Sequence, residues 1–274
     1  MRRIGCFNLA FVLLVIGLSL STIAGAQDGR ACPGNTPSPN GAEIALRVFN
    51  DCPGSTLNVS NNYPAQIFIS DGMPNNCSGY ANLHSWSFSV DGGQTKAVFE
   101  NCSHYRYAAT VVLDGTGEGE GGLRLSPWWA ENVDGRFMVH ATTGEIACFG
   151  GRLPFYSFTV AYGLLYVKGT PARLDITYNP HSQTQADPAT IIYAVTYGGN
   201  TYSSGPLAWD EGNYNEDPPH GLWGEMVPAY VGGYFQPRIT PGVFAASFSD
   251  IFYEGASATS AMPKTWGKIK TMYR

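Results

Sequence analysis

Glu118 and Glu120 stand two residues apart, so an extended backbone carries both on one face about 6.5 to 7 Å apart. Asp134, Glu145 and Glu225 are the other carboxylates that folding can bring toward them. Two carboxyl groups about 5 to 10 Å apart, one acting as acid and the other as nucleophile or base, are what hydrolysis of a glycosidic bond requires. Glu225 lies in Leu222-Trp223-Gly224-Glu225-Met226, where apolar neighbours raise a carboxyl pKa toward general-acid use. The bland reading competes at each position. Gly117, Gly119, Gly121 and Gly122 surround the first pair, as in a solvated turn or sheet edge, and a lone carboxylate beside a tryptophan is also an ordinary surface feature.

Other chemistries find less support. There is no G-x-S-x-G elbow and no H-E-x-x-H pair, and none of the five histidines, His84, His104, His140, His181 and His220, lies within four residues of another. All five read as surface or turn residues, and no cofactor is expected. The loop from Asp210 to Asp217 offers Asp210, Glu211, Asn213, Asn215 and Asp217 as oxygen ligands for a structural Ca²⁺, although its spacing matches no EF-hand and a solvated acidic loop explains it as well. Binding asks less of a sequence than catalysis. A sugar presents apolar ring faces and polar edges, which suit exposed aromatics beside Asn, Asp and Arg. Trp128-Trp129 follows Pro127 in a loop-like context where both indoles cannot easily point inward, and Trp209, Tyr214 and Trp223 flank the acidic loop as a second aromatic patch.

The elements that must position these residues read as short strands. In Tyr105–Leu113, residues 105, 107, 109, 111 and 113 are apolar or aromatic while Arg106, Thr110 and Asp114 fall on the other face, which predicts a half-buried strand. Similar runs occupy 43–49, 66–70, 86–90, 123–125, 135–140, 144–149, 155–162, 173–178, 190–197 and 243–253. Between them Asp91-Gly92-Gly93, Asp114-Gly115, Thr143-Gly144, Lys168-Gly169 and Gly198-Gly199-Asn200 supply the positive φ that hairpin turns need, which predicts strands joined by tight turns. With 33 glycines, 18 prolines and no sustained helical period, the chain predicts an all-β fold, a two-sheet antiparallel β-sandwich or jelly roll over 43–254.

Residues 1–26 read as a secretion signal: Arg2 and Arg3, an apolar run from Leu9 to Leu20, and a small-residue site at Ala24-Gly25-Ala26. A flexible leader is expected over 27–42. Removal of the signal lowers 16 basic side chains by two to 14 against 21 acidic, a net charge of about −7, which disfavours nucleic acid and anionic membranes. No later stretch reaches the ~18 to 20 apolar residues of a membrane span. In an oxidising compartment Cys32, Cys52, Cys77 and Cys102 are disulfide candidates. Neighbours such as Cys32 with Cys52 and Cys77 with Cys102 would contribute about 3 kcal/mol each, although spacing does not determine connectivity. Cys148 is left as a buried thiol. Residues 255–274 form a linker and a short basic tail in which Trp266, Ile269 and Tyr273 share one face, either a frayed end or a tag for export or surface machinery.

The order of these elements resembles the concanavalin A-like lectin/glucanase superfamily, which also holds laminin-G-like domains. The resemblance rests on Asp134-Gly135-Arg136-Phe137, Tyr166 to Thr170 before Leu174 to Tyr178, the strand-turn-strand from Tyr193 to Tyr202, and Phe248 to Tyr253. The phrase Gly144 to Phe155 also resembles secreted bacterial proteins. What the resemblance implies is a jelly roll, a glycan partner, and for the glucanases a catalytic carboxylate pair. The laminarinase-like pattern places a third acidic residue further along the strand of Glu118 and Glu120, where this chain has Gly121-Gly122-Leu123. The leading expectation is a secreted non-catalytic sandwich that binds carbohydrate or another extracellular polymer. A polysaccharide hydrolase or lyase and a structural envelope component are the alternatives.

Overall fold

The computed structural model of the chain describes residues 37–99, 103–130, 133–150, 153–181, 189–208 and 230–256, and for 126–130, 133, 134 and 256 the backbone alone. The expected signal, the linker and tail beyond 256, Cys32, Cys102 and the whole of 209–229 lie outside the described residues.

Strands form two antiparallel sheets. In chain order they are β1 (Gly41–Asn50), β2 (Thr56–Asn62), β3 (Gln66–Met73), β4 (Asn82–Ser89), β5 (His104–Gly115), β6 (Gly119–Ala130), β7 (Val133–His140), β8 (Ile146–Phe149) and β9 (Tyr156–Ser157); then, after a short helix α1 (Phe158–Tyr162), β10 (Ala172–Asn179), β11 (Thr190–Tyr197), β12 (Asn200–Ser203), β13 (Leu207–Ala208), β14 (Tyr230–Pro237) and β15 (Gly242–Ala256). The first sheet runs β1-β4-β14-β6-β7-β8-β9 and the second β12-β11-β10-β5-β15-β3-β2, with β13 paired to β11. This is the two-sheet antiparallel jelly roll that strand pattern and resemblance both predict.

Alternation explains the packing. Trp86, Phe88, Leu123, Phe137, Val139, Val231 and Phe235 of the first sheet meet Ile67, Tyr105, Tyr107, Val111, Leu174, Tyr193 and Phe248 of the second in one buried core. Each such side chain contributes roughly 1.5 to 3 kcal/mol on leaving water, before the entropy of ordering it. Trp86 sits at the centre, edge-on to Phe88 at 5.3 Å and to Phe248 at 5.7 Å. Its ring crosses β14 at Gly233, where a Cβ would lie 2.7 Å from Trp86 Cε2 and 3.0 Å from Phe248 Cε1. Only glycine lets the strand pass beneath the indole. On the opposite face of β5, Arg106 pairs bidentately with Asp175 of β10, with Nη2 to Oδ2 at 2.6 Å, as the exposed register of that strand predicts.

Four expectations are corrected. Of residues 155–162 only Tyr156–Ser157 form a strand: after β9 the Ser157 side chain accepts from Val160 N at 3.2 Å and Gly163 (φ 69°) closes the turn, so a capped helical turn interrupts the edge. Asp91-Gly92-Gly93, Asp114-Gly115 and Lys168-Gly169 carry the chain from one sheet to the other, while Thr143-Gly144 and Gly198-Gly199 make hairpins. Cys52 is bonded to Cys77, a separation of 25 residues, so neither neighbouring pair forms; the fold brings the end of β1 to the β3–β4 loop instead. Cys148 is a buried free thiol, and burial pushes its pKa up.

The fourth correction is His84, which is fully buried rather than at a surface. Its Nδ1 accepts from Arg47 N at 3.1 Å, which leaves Nε2 as the protonated nitrogen facing Asp71 Oδ2 at 3.0 Å. Asn82 donates to the same oxygen at 2.8 Å and its own amide oxygen accepts from Cys52 N at 2.9 Å. A polar knot therefore joins β3 to β4 beside the disulfide. Burial pushes the Asp71 carboxyl up, but hydrogen bonds from His84, Ser55 and Asn82 outweigh it and hold the group below its ordinary value.

Candidate functional site

The same alternation that fills the core puts a second set of side chains on the outer face of the first sheet. Leu83, Met138, Ala147 and Tyr234 form a small separate cluster there with Val48 and Phe149. Polar residues lie on both sides of it. One register row across the sheet pairs Glu43 with Ser87, Ser87 with Gly232, Gly232 with Arg124 and Arg124 with Arg136. Because position 232 has no side chain, the Arg124 guanidinium reaches across β14 and donates to Ser87 Oγ at 2.6 Å. Arg124 is 1% exposed, so on this face it ties strands together rather than meeting solvent.

A second row pairs Gln236 with Glu120 and Glu120 with His140. Arg136 enters it from the diagonal, donating through Nη1 to Glu120 Oε1 and to Gln236 Oε1, both at 2.7 Å. Tyr234 OH donates to the same Glu120 oxygen at 3.2 Å, and its ring lies 4.6 Å beneath the guanidinium. His140 Nδ1 accepts from Thr142 N and Thr143 N at 3.1 and 3.2 Å, so the neutral ring presents Nε2–H as a donor. The Arg136 and Glu120 side chains keep 14% and 17% exposure. Guanidinium, carboxylate and amide thus form a cross-braced group, with the His140 imidazole next to it in register.

The row continues to an aromatic. Two residues beyond Gln236, on the same face by strand parity, Arg238 bridges to Ala81 and donates through Nη2 to Tyr80 OH at 2.7 Å, with its guanidinium 5.1 Å from the ring centroid. Tyr80 is 61% exposed. Its loop is braced rather than loose. Asp51 Oδ2 accepts from Tyr80 N at 2.8 Å and Ala81 N at 3.1 Å, Ile239 N donates to Tyr80 O at 3.0 Å, and Cys77 is tied to Cys52. Those two amide donors hold the Asp51 carboxyl below its ordinary value. Gly79 (φ 124°) lets the loop turn against the Asp51 side chain, where a Cβ would lie 2.7 Å from Asp51 Cγ.

Of the expected carboxylates, Glu120 is in this site. It meets Arg136 and Tyr234 as a hydrogen-bond acceptor, an arrangement for holding a group rather than for releasing a proton. Glu118 lies in the turn before β6, its carbonyl accepting from Arg238 N at 2.9 Å, and Glu145 lies in the β7–β8 turn, its carbonyl accepting from His140 N at 2.9 Å. These three share no hydrogen-bond partner among the described residues. The backbone of Asp134 is in β7, and its side chain lies outside the description. Trp128 and Trp129 sit in β6 rather than a loop, at a place where pairing with β7 slips between Leu125 and Ala130; Pro127, which has no N–H for the ladder, falls within the slip. Glu225, Trp209, Tyr214, Trp223 and the calcium candidates Asp210, Glu211, Asn213, Asn215 and Asp217 lie outside the described residues. No group of three or more His, Cys, Asp or Glu side chains that could hold a metal occurs among the described residues.

Arg136, Gln236, His140, Arg238 and Tyr80 are the residues sequence reasoning missed. Alternation in Tyr230–Pro237 marks Gln236 as outward-facing, but nothing local links it to Glu120, more than a hundred residues earlier.

No family model and no curated protein matches the chain. Among solved structures it is similar to an alginate lyase from Corynebacterium sp. (TM-score 0.45, 12% identity, covering 79% of this chain and 94% of that one). It is also similar to arcelin-5, a lectin-like defense protein from Phaseolus vulgaris (TM-score 0.41, 11% identity, 82% and 96%), and to winged bean acidic lectin in complex with methyl-alpha-D-galactose (TM-score 0.40, 7% identity, 79% and 95%).

Proposed function

We propose that this protein works outside the cytoplasm and binds polysaccharide at the end of the β1-to-β9 sheet where Tyr80 and Arg238 reach solvent. The observation that carries the reading is Tyr80, a large aromatic with 61% exposure on a loop braced by Asp51 and a disulfide, standing at the end of the Arg136–Glu120–Gln236–His140 row. A rigid ring beside fixed donors and acceptors meets the two needs of a sugar, an apolar face to stack on and polar partners for hydroxyls. Pre-set side chains also lower the entropy lost on binding. The Cys52–Cys77 bond supports an oxidising compartment.

The direct experiment presents the protein with a panel of neutral and charged polysaccharides, follows binding by calorimetry, and assays the same mixtures for new reducing ends and for unsaturated ends. Binding without chain cleavage supports the reading. Cleavage that is lost in Glu120→Gln would instead support a hydrolase or lyase, and a panel with neither binding nor product would overturn both.

A further inference from the structure

Resting on that reading, we propose that the bound polysaccharide carries anionic groups, carboxylate or sulfate, and that Arg238 is the residue that receives one of them. The described arginines are used in different ways. Arg136 is paired with Glu120, Arg106 with Asp175, and the Arg47 and Arg124 guanidiniums bond Ser55 and Ser87. Arg173 donates to the Asp250 carbonyl at 3.1 Å, and Arg238 has no carboxylate partner among the described residues. Of its five N–H donors one, on Nη2, goes to Tyr80 OH, and the guanidinium carbon lies over the Tyr80 ring, 5.1 Å from its centroid. Its own backbone is pinned, with N–H donating to Glu118 O at 2.9 Å, so the charge stands at a fixed place.

A guanidinium held on an aromatic face keeps its edge donors in one plane. That fork matches the two oxygens of a carboxylate or of a sulfate and makes parallel, charge-assisted bonds to them. Stacking also removes much of the rotamer freedom an arginine otherwise loses on binding. The chain as a whole carries a net charge of −5, so a positive group in this position is local. At physiological salt its field extends only about 8 Å. It would therefore act on a group already laid against Tyr80 and choose among polymers by charge, rather than draw them from a distance.

The experiment uses matched polymers that differ only in charge: a uronate polysaccharide and its carboxyl-reduced form, and a sulfated polysaccharide and its desulfated form. Affinity is measured for the full protein and for Arg238→Gln and Arg238→Lys. Wild type is expected to bind one charged member at least tenfold tighter than its neutral counterpart. Arg238→Gln is expected to bring that ratio to near one, whatever the loss of its contact with Tyr80 does to the affinity for both members, with Arg238→Lys in between because an ammonium keeps the charge and loses the fork. Which pair shows the ratio separates carboxylate from sulfate. Equal affinity for charged and neutral members, or a ratio unchanged in Arg238→Gln at unchanged melting temperature, would overturn the inference and leave polysaccharide binding intact. Failure of every polymer to bind would overturn the parent reading and this inference with it.

Discussion

Asp71 lies between the sheets without solvent exposure, as does His84, and the two share a hydrogen bond of 3.0 Å. Because its pKa is depressed in the fold, the stability it contributes is fully present above the ordinary carboxylate value and is lost as pH falls through the folded value, that is, below about pH 4. Asp71→Asn is expected to cost about 3 to 5 kcal/mol at pH 7, since it leaves the hydrogen bonds of His84 and Asn82 without a charged acceptor. Denaturant midpoints measured from pH 7 to pH 3 should show the gap between wild type and variant narrowing below pH 4. A gap that stays constant would mean that the Asp71 pKa is the same in the folded and unfolded chain. Asp51 and Asp91 are also held below their ordinary values, so the variant should keep some acid sensitivity. Sequence made some residues legible and not others for a physical reason. Glu120 stood out as a carboxylate, but its meaning depends on Arg136, Tyr234 and Gln236, which reach it through register between strands. His84 read as an ordinary histidine because its partner on β3 is specified by sheet-to-sheet packing.

Individual strands follow from alternation, which is why β5, β10, β11 and β15 emerge from the sequence with little change. Period two does not distinguish a strand from a short capped turn, and 155–162 was misread on that account: Ser157 and Gly163 are the cap residues, and their geometry overrides the apolar pattern. Ser157→Ala is expected to cost about 1 kcal/mol and to speed hydrogen exchange at the amides of Val160 and Gly163 without disturbing the core strands. β14 supplies a sharper test of packing. Gly233→Ala must displace the Trp86 or Phe248 ring, and a loss of about 1 to 3 kcal/mol in denaturant unfolding is expected from overpacking. A neutral result would mean that the indole does not lie across the strand as described.

For the whole molecule, composition and turn residues indicated a two-sheet sandwich, and the strand order bears this out. What composition does not carry is which ends meet. Cys52 and Cys77 pair because β1 ends beside the β3–β4 loop, a consequence of topology rather than spacing. Replacing both with serine is expected to lower stability by about 3 kcal/mol, from the freed loop of 25 residues. It should also weaken any ligand that stacks on Tyr80, because the loop then keeps its hydrogen bonds to Asp51, Ile239 and Arg238 without the covalent tie. The central claim is that an exposed, braced tyrosine at the end of a polar row makes this sandwich a polysaccharide-binding protein. The most direct measurement is a calorimetric titration of wild type and Tyr80→Ala with the tightest-binding polysaccharide of a broad panel. The account expects Kd to rise at least tenfold in the variant, about 1.4 kcal/mol, with melting temperature unchanged. An unchanged Kd, or no binding by wild type to any polysaccharide, would contradict it.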